Sequence, residues 1–228
     1  MKYRWLLFDA DNTLFDFDAA EDRAITNALS SRGYDPTPER KALYCKLNAA
    51  LWTAYDRGEI RQEELVIKRF QDLSDALGGH EDPQAWNRCY LDGLAAGSIL
   101  LPGALALCRA LAPHYILALV TNGVPYVQRS RLAVSPVAPL FGARVFISGE
   151  MGCQKPEQVY FEAVLKALAV DDPARVLVLG DSLTSDIQGA VNAGLDSVWY
   201  NPKHRPAGRV RPTYEADSYD GILSLLLP

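Results

Sequence analysis

Three apolar runs in this chain each end on a carboxylate or a hydroxyl, and that recurrence constrains the fold more than any other feature. Trp5-Leu6-Leu7-Phe8 is followed by Asp9, Ile116-Leu117-Ala118-Leu119-Val120 by Thr121, and Val176-Leu177-Val178-Leu179-Gly180 by Asp181. A continuous apolar run of strand length predicts a strand covered on both faces, as in a parallel sheet. Further strand patterns lie at 143–148 and 197–200. Helical patterns occupy 104–111, 124–132, 158–168 and 186–193. Strands alternating with helices specify an α/β chain with a doubly wound parallel sheet. Such sheets bind ligands beyond the carboxyl ends of their strands, near a topological switch point. One cleft can therefore collect Asp9, Thr121 and Asp181.

The alternation is interrupted once. From about Ala19 to Ala96 the apolar residues recur at helical spacing (Ala24, Ala28 and Leu29; Leu43, Leu47 and Leu51; Leu65, Phe70 and Leu73) and strand signals are lacking. Breaks fall at Gly33-Tyr34-Asp35-Pro36, at Gly58 and at Gly78-Gly79-His80. This block predicts a cap of four or five helices over 17–96, inserted just after the first strand of a core formed by 1–16 and 97–228. A chain of 228 residues is long enough for one substantial core with a smaller cap. A net charge of -5 argues against a nucleic-acid partner, which wants clustered Lys and Arg. No apolar run approaches the ~20 residues of a membrane span, and no signal-peptide pattern is visible at the start. Four dispersed cysteines without a CxxC pair read as free thiols in a reducing cytoplasm.

The chemistry-bearing residues fall in four short segments. Asp9 projects from the end of the first strand, and Asp11, two residues on, can return to the same side. One carboxylate can attack phosphorus, and a second can protonate a leaving oxygen and then activate water. Two close carboxylates also favour a bound cation. Thr121 and Asn122 end a strand before a helix, where a hydroxyl and backbone amides can bind phosphate oxygens. Lys155, stiffened by Pro156, is a compact positive charge suited to phosphate and nucleophile. Asp181 leaves a third strand. With Asp9 it offers the hard oxygens that magnesium prefers. Asp186 is expected behind them, holding Lys155 or a metal-bound water. In the helical insert, Leu47, Leu51 and Tyr55 form a core stripe, while Trp52 is offset from it and can stack on a base. His80, His114 and His204 share no metal spacing, and Arg205, Arg209 and Arg211 read as a solvated basic stretch.

The segments Asp9-Ala10-Asp11-Asn12-Thr13, Thr121-Asn122-Gly123, Lys155-Pro156 and Gly180-Asp181-Ser182-Leu183-Thr184-Ser185-Asp186 resemble, in order, the four motifs of the haloacid dehalogenase superfamily. The resemblance runs along almost the whole chain. It implies a Rossmann-like core with a helical C1-type cap. It also implies Asp9 as nucleophile, Asp11 as general acid/base, Thr121 and Lys155 at the phosphate, where the strand-end reading adds Asn122, and Mg2+ held by Asp9, Asp181 and the main-chain carbonyl of Asp11. An acid at position 11 favours phosphate transfer over carbon–halogen cleavage. Asp-Ala-Asp-Asn-Thr-Leu-Phe, Leu51-Trp52 with Tyr55, Gly58-Glu59-Ile60, Leu101-Pro102-Gly103 and Trp199-Tyr200-Asn201-Pro202 are similar to the pyrimidine 5'-nucleotidases of that superfamily. The implied partner is a small phosphomonoester, a nucleoside monophosphate. Phosphoglycolate or a sugar phosphate, or an idle fold kept as a binding module, are the alternatives. For assembly, a C2 homodimer is the commonest default.

Overall fold

The structure is a computed structural model that describes residues 2–227. The first strand, β1 (Trp5–Phe8), is followed by four helices: α1 (Phe17–Ser30), α2 (Pro38–Asp56), α3 (Gln62–Ala76) and α4 (Pro83–Ala95). The chain then alternates. α5 (Ala104–Leu111) leads to β2 (Ile116–Thr121), α6 (Pro125–Ala133) and the one-turn α7 (Ala138–Phe141) to β3 (Val145–Ile147). The one-turn α8 (Ser148–Met151) and α9 (Gln158–Ala167) lead to β4 (Val176–Gly180). A π-helical turn, Leu183–Ile187, runs into α10 (Gln188–Asn192). β5 (Asp196–Tyr200), β6 (Tyr214–Ala216) and α11 (Tyr219–Leu226) complete the chain.

All strand pairings are parallel, in the order β3-β2-β1-β4-β5-β6. The strand order reverses at β1, so the switch point lies where β1 adjoins β2 and β4. Residue alternation explains the continuous apolarity of these strands. Leu6, Phe8, Leu117, Leu119, Leu177 and Leu179 pack into one core with α5 and α11. Trp5, Leu7, Ala118, Val120, Val176 and Val178 pack into the other with α9 and α10. Both alternating sets are buried, as helices on both faces require.

The helical insert has a core of its own, centred on Tyr44, Phe70, Trp86 and Tyr90. Trp86 donates from Nε1 to the Ala28 carbonyl at 2.9 Å, so its one polar atom is satisfied. The helices begin where the sequence supplies caps. Asp16 accepts from the Ala19 N–H, Thr37 from Arg40 ahead of Pro38, and Asp82 from Gln84 ahead of Pro83. The two chain crossings into the insert run side by side: Asp16 N donates to the Ile99 carbonyl and Leu101 N to the Leu14 carbonyl, both at 2.9 Å. Among the described residues, no helix is long and apolar enough to cross a membrane.

Several elements lie outside the sequence reading, α8 among them. β6 is a three-residue edge strand, too short to show a pattern. α11 places Ile222 and Leu226 against the sheet at helical spacing. After Ser135-Pro136, the chain makes the single turn α7 that seats Phe141 in the core, edge-on to Phe8 at 6.1 Å.

Candidate active site

The acids gather where β1, β2 and β4 end. Phe8 fixes the end of β1, and the Asp9 N–H bonds to the Leu179 carbonyl at 2.8 Å, so Asp9 lies beside the end of β4. Lys155 reaches it from the loop before α9. Its Nζ lies 2.6 Å from Asp9 Oδ1, 2.7 Å from Asp186 Oδ1 and 3.1 Å from the Val120 carbonyl, at 1% exposure. The ammonium therefore uses its three donors on three fixed oxygens. Burial opposes charge on Lys155, but Asp186 and Asp9 more than offset it and raise its pKa. Asp186 holds Lys155, one of the two partners the sequence offered it. Its Oδ2 accepts from the Ser182 N–H at 3.0 Å. Gly180 makes room: a Cβ there would meet Asp186 Oδ2 at 2.2 Å.

Asp181 lies in the same group. Asp9, Asp181 and Asp186 each offer a carboxylate oxygen within 4.8 Å of the others. Burial, then the charge of Asp186, raises Asp9 well above the usual carboxylate range, and the same two causes raise Asp181 to about 7. Arg205, expected in a solvated stretch, donates from Nη2 to the Asp181 carbonyl at 2.7 Å and to Oδ2 at 3.2 Å. This acidic group fits a divalent cation. It supplies hard oxygens from three carboxylates held close together.

Asp11 faces elsewhere. Its carboxylate accepts from Gln128 Nε2 at 2.7 Å and from Arg131 Nη1, both on α6. Gln128 Nε2 also donates to Thr121 Oγ1 at 3.1 Å, so one amide ties the hydroxyl to the second acid. Thr121 Oγ1 accepts a further bond from the Gly123 N–H at 3.1 Å, which leaves its own proton to donate. The Gln128 amide passes so close to Gly123 that a Cβ would meet Nε2 at 2.1 Å, which explains the glycine of Thr-Asn-Gly. Neither Gln128 nor Arg131 was singled out from the sequence. They form a polar pair at i, i+3 on a helix that starts just after Thr121, and only the fold shows that both are buried, each 1% exposed.

Asn122 lines the cavity beside Thr121. It clamps the Lys155 backbone, donating from Nδ2 to the Lys155 carbonyl at 2.7 Å and accepting from the Lys155 N–H at 3.0 Å. Both ends of its amide are engaged, so its side chain acts as a strut for the lysine loop.

The helical insert covers this cluster. Gln62 Nε2 donates to the Asn122 carbonyl at 2.8 Å, Thr184 Oγ1 to Asp56 Oδ2 at 2.6 Å, and Gln154 Nε2 to the Tyr55 carbonyl at 2.6 Å. Between the insert and the sheet lies a cavity of about 240 Å³. Asp9, Asp11, Thr121, Lys155 and Asp181 line its floor, and Trp52 lines its insert side. Leu51 and Tyr55 pack in a small core with Leu65. No histidine belongs to the acidic group.

A sheet of this order with two acids two residues apart after β1, a threonine after β2, a loop lysine and a third acid after β4 defines a hydrolase class, and the comparisons agree. The family model for haloacid dehalogenase-like hydrolases matches residues 3–194, and the chain belongs to that family. Among relatives, the chain is 40% identical over 228 residues to the pyrimidine 5'-nucleotidase PynA of Streptococcus pneumoniae, covering 99% of this chain and 96% of that protein. It is 33% identical to the pyrimidine 5'-nucleotidase YjjG of Escherichia coli, covering 99% of each. The crystal structure of the putative HAD-hydrolase YfnB of Bacillus subtilis, bound to magnesium and described as revealing interdomain movement, superposes with a TM-score of 0.93. It shares 35% identity and covers 100% of both chains.

Proposed function

We propose that this hydrolase is a magnesium-dependent phosphatase of nucleoside monophosphates, with pyrimidine nucleotides as its substrates. The observation that carries the reading is the pairing of Lys155 with Asp9 on one side of the cavity and of Gln128 and Arg131 with Asp11 on the other. Two carboxylates in one site have been given different partners, and different partners suit different roles.

In this reading Asp9 Oδ attacks phosphorus. A bond from Asp9 oxygen to phosphorus forms as the ester oxygen–phosphorus bond breaks. Asp11 gives its proton to the departing nucleoside oxygen. Water then attacks the aspartyl phosphate, Asp11 takes its proton, and inorganic phosphate leaves with Asp9 restored. Gln128 and Arg131 orient the Asp11 carboxyl for both proton transfers. Lys155 balances charge on Asp9 and on the phosphoryl oxygens, and Thr121 donates its free hydroxyl proton to one of them. Asn122 keeps Lys155 in place. Asp9 and Asp181, with the Asp11 carbonyl, would hold magnesium, with Asp186 behind them. The metal would supply charge neutralisation at the nucleophile and the phosphoryl group. The insert excludes bulk water and contacts the leaving group. The two full-length nucleotidase relatives support the nucleotide leaving group.

The test is phosphate release from nucleoside monophosphates, sugar phosphates and phosphoglycolate, with magnesium and with chelator. Magnesium-dependent release favouring UMP, dUMP or dTMP is expected. Release from sugar phosphates or phosphoglycolate alone would retain the mechanism and reject the nucleotide. No release from any of them would reject the enzyme reading.

A further inference from the structure

Arg69 on α3 is 2% exposed, yet it lines the same cavity as Asp9, Thr121 and Lys155. A buried guanidinium is costly unless its N–H groups find partners. Nη2 donates to Asn87 Oδ1 at 2.7 Å and Nη1 to Asn48 Oδ1 at 3.4 Å, whereas Nε is buried without a partner. The Tyr90 ring lies 4.5 Å from the guanidinium carbon. Asn48 passes the link onward, donating from Nδ2 to Glu21 Oε1 at 2.8 Å. The Tyr90 hydroxyl donates to the same oxygen at 3.2 Å. The charge of Arg69 is thus balanced at one remove by Glu21, and its plane is fixed by Asn48, Asn87 and Tyr90.

The rest of the insert-side wall is largely apolar. Phe17, Trp52, Leu91 and Leu94 of the insert and Val127 of α6 line the space, Asp56 supplies a carboxylate engaged by Thr184, and Arg69 brings a fixed cation into it. A core position that needed only to be filled would be served as well by an apolar side chain. A largely apolar wall with an anchored donor suits recognition of a heterocycle bearing an acceptor. The phosphate-handling residues lie on the floor, so this wall receives the part of the substrate that leaves.

We infer that Arg69 determines specificity by donating to a ring carbonyl oxygen of a pyrimidine leaving group. This rests on the nucleotidase reading above and names the residue that reads the base. Uracil, thymine and cytosine each carry a carbonyl at ring position 2, and adenine carries none. A base without the acceptor leaves a desolvated donor unpaired, which penalises it more than the lost hydrogen bond alone.

The experiment measures kcat and KM for UMP, 2-thio-UMP, 4-thio-UMP, AMP and ribose 5-phosphate, with magnesium, in the wild type, Arg69→Met and Arg69→Lys. In the wild type, sulfur at one of the two carbonyl positions lowers kcat/KM at least about tenfold, chiefly through KM, as does AMP relative to UMP. In Arg69→Met the ratio of kcat/KM for UMP to that for ribose 5-phosphate falls at least about tenfold, the thio effect disappears, and Arg69→Lys recovers part of the ratio. Indifference of the wild type to both thio substitutions would overturn the inference. So would parallel loss on UMP and ribose 5-phosphate in Arg69→Met, the signature of a strut within the insert. Should Arg69→Met not fold, the wild-type thio comparison decides alone. A wild type that does not prefer UMP to ribose 5-phosphate would reject the nucleotidase reading itself, and the inference with it. A preference for UMP without a thio effect would reject only the inference.

Discussion

Arg131 holds Asp11 from below. Its guanidinium is 1% exposed, lies 4.4 Å from the Phe15 ring centroid, and donates from Nη1 to Oδ1 of the carboxylate. With Gln128 on the other oxygen, the second acid has one orientation. Arg131→Met should lower kcat by roughly 10- to 100-fold, short of the ~10²–10⁴ expected for losing the acid/base group itself. KM should stay near the wild-type value. In an Asp11→Asn background the same change should have little further effect, because the arginine acts through that carboxylate. Steady-state kinetics of the single and double variants check this. A full additive loss would mean that Arg131 acts on something other than Asp11.

Lys155 sits between Asp9 and Asp186 with 1% of its surface exposed. Lys155→Met leaves two buried carboxylates facing one another, and breaking such a pair costs about 3–5 kcal/mol. Burial already raises Asp9, and removing the ammonium raises it further. A carboxyl raised in the folded state favours folding while it is neutral, below the unfolded value, and loses that contribution as pH rises through the folded value. The variant's thermal stability in chelator should therefore fall more steeply between mildly acidic and alkaline pH than the wild type's. A parallel pH dependence in the two proteins would contradict the pairing.

Magnesium should stabilise the protein through Asp9 and Asp181. A ligand that binds only the folded state adds about 2.7 kcal/mol at 100 times its Kd. Thermal melting with magnesium and with chelator should show that shift in the wild type and lose most of it in Asp181→Asn. Ligands must be deprotonated, so the shift should shrink as pH falls. Burial raises Asp9 and Asp181, which moves this decline toward neutrality. An unchanged shift in Asp181→Asn would remove that residue from the metal site.

Trp52 meets Tyr55 edge-on, with ring centroids 5.4 Å apart, and lines the cavity. If it stacks on the base, Trp52→Ala should cost nucleotide substrates about 1–3 kcal/mol in kcat/KM and ribose 5-phosphate much less. Selectivity measured across bases and sugar phosphates checks this. Equal losses on all substrates would assign Trp52 to the insert's core.

The sequence made the sheet legible where strands were buried on both faces. β1, β2 and β4 announced themselves as unbroken apolar runs, and the residue after each run pointed to the cleft. Asp9, Thr121, Lys155, Asp181 and Asp186 all meet there, because a parallel sheet places the carboxyl ends of its central strands together. What stayed hidden depends on partners distant in the chain. Arg131 and Gln128 look like ordinary polar residues of a helix until α6 packs beside Asp11. Arg205 looked solvated because nothing local shows that its loop returns to Asp181. Asn122 was read by its place at a strand end, whereas the lysine loop it clamps lies 33 residues away. β6 escaped because a three-residue edge strand carries too few positions to show a period.

The central claim is that a nucleoside monophosphate passes its phosphoryl group to Asp9. Rapid acid quenching of the wild type mixed with radiolabelled UMP and magnesium tests it most directly, followed by peptide mapping. The account predicts that label appears on the peptide holding Asp9 before free phosphate accumulates, decays as phosphate is released, and never forms in Asp9→Asn. Labelled phosphate released with no labelled protein at any time, or label carried by another residue, would contradict it.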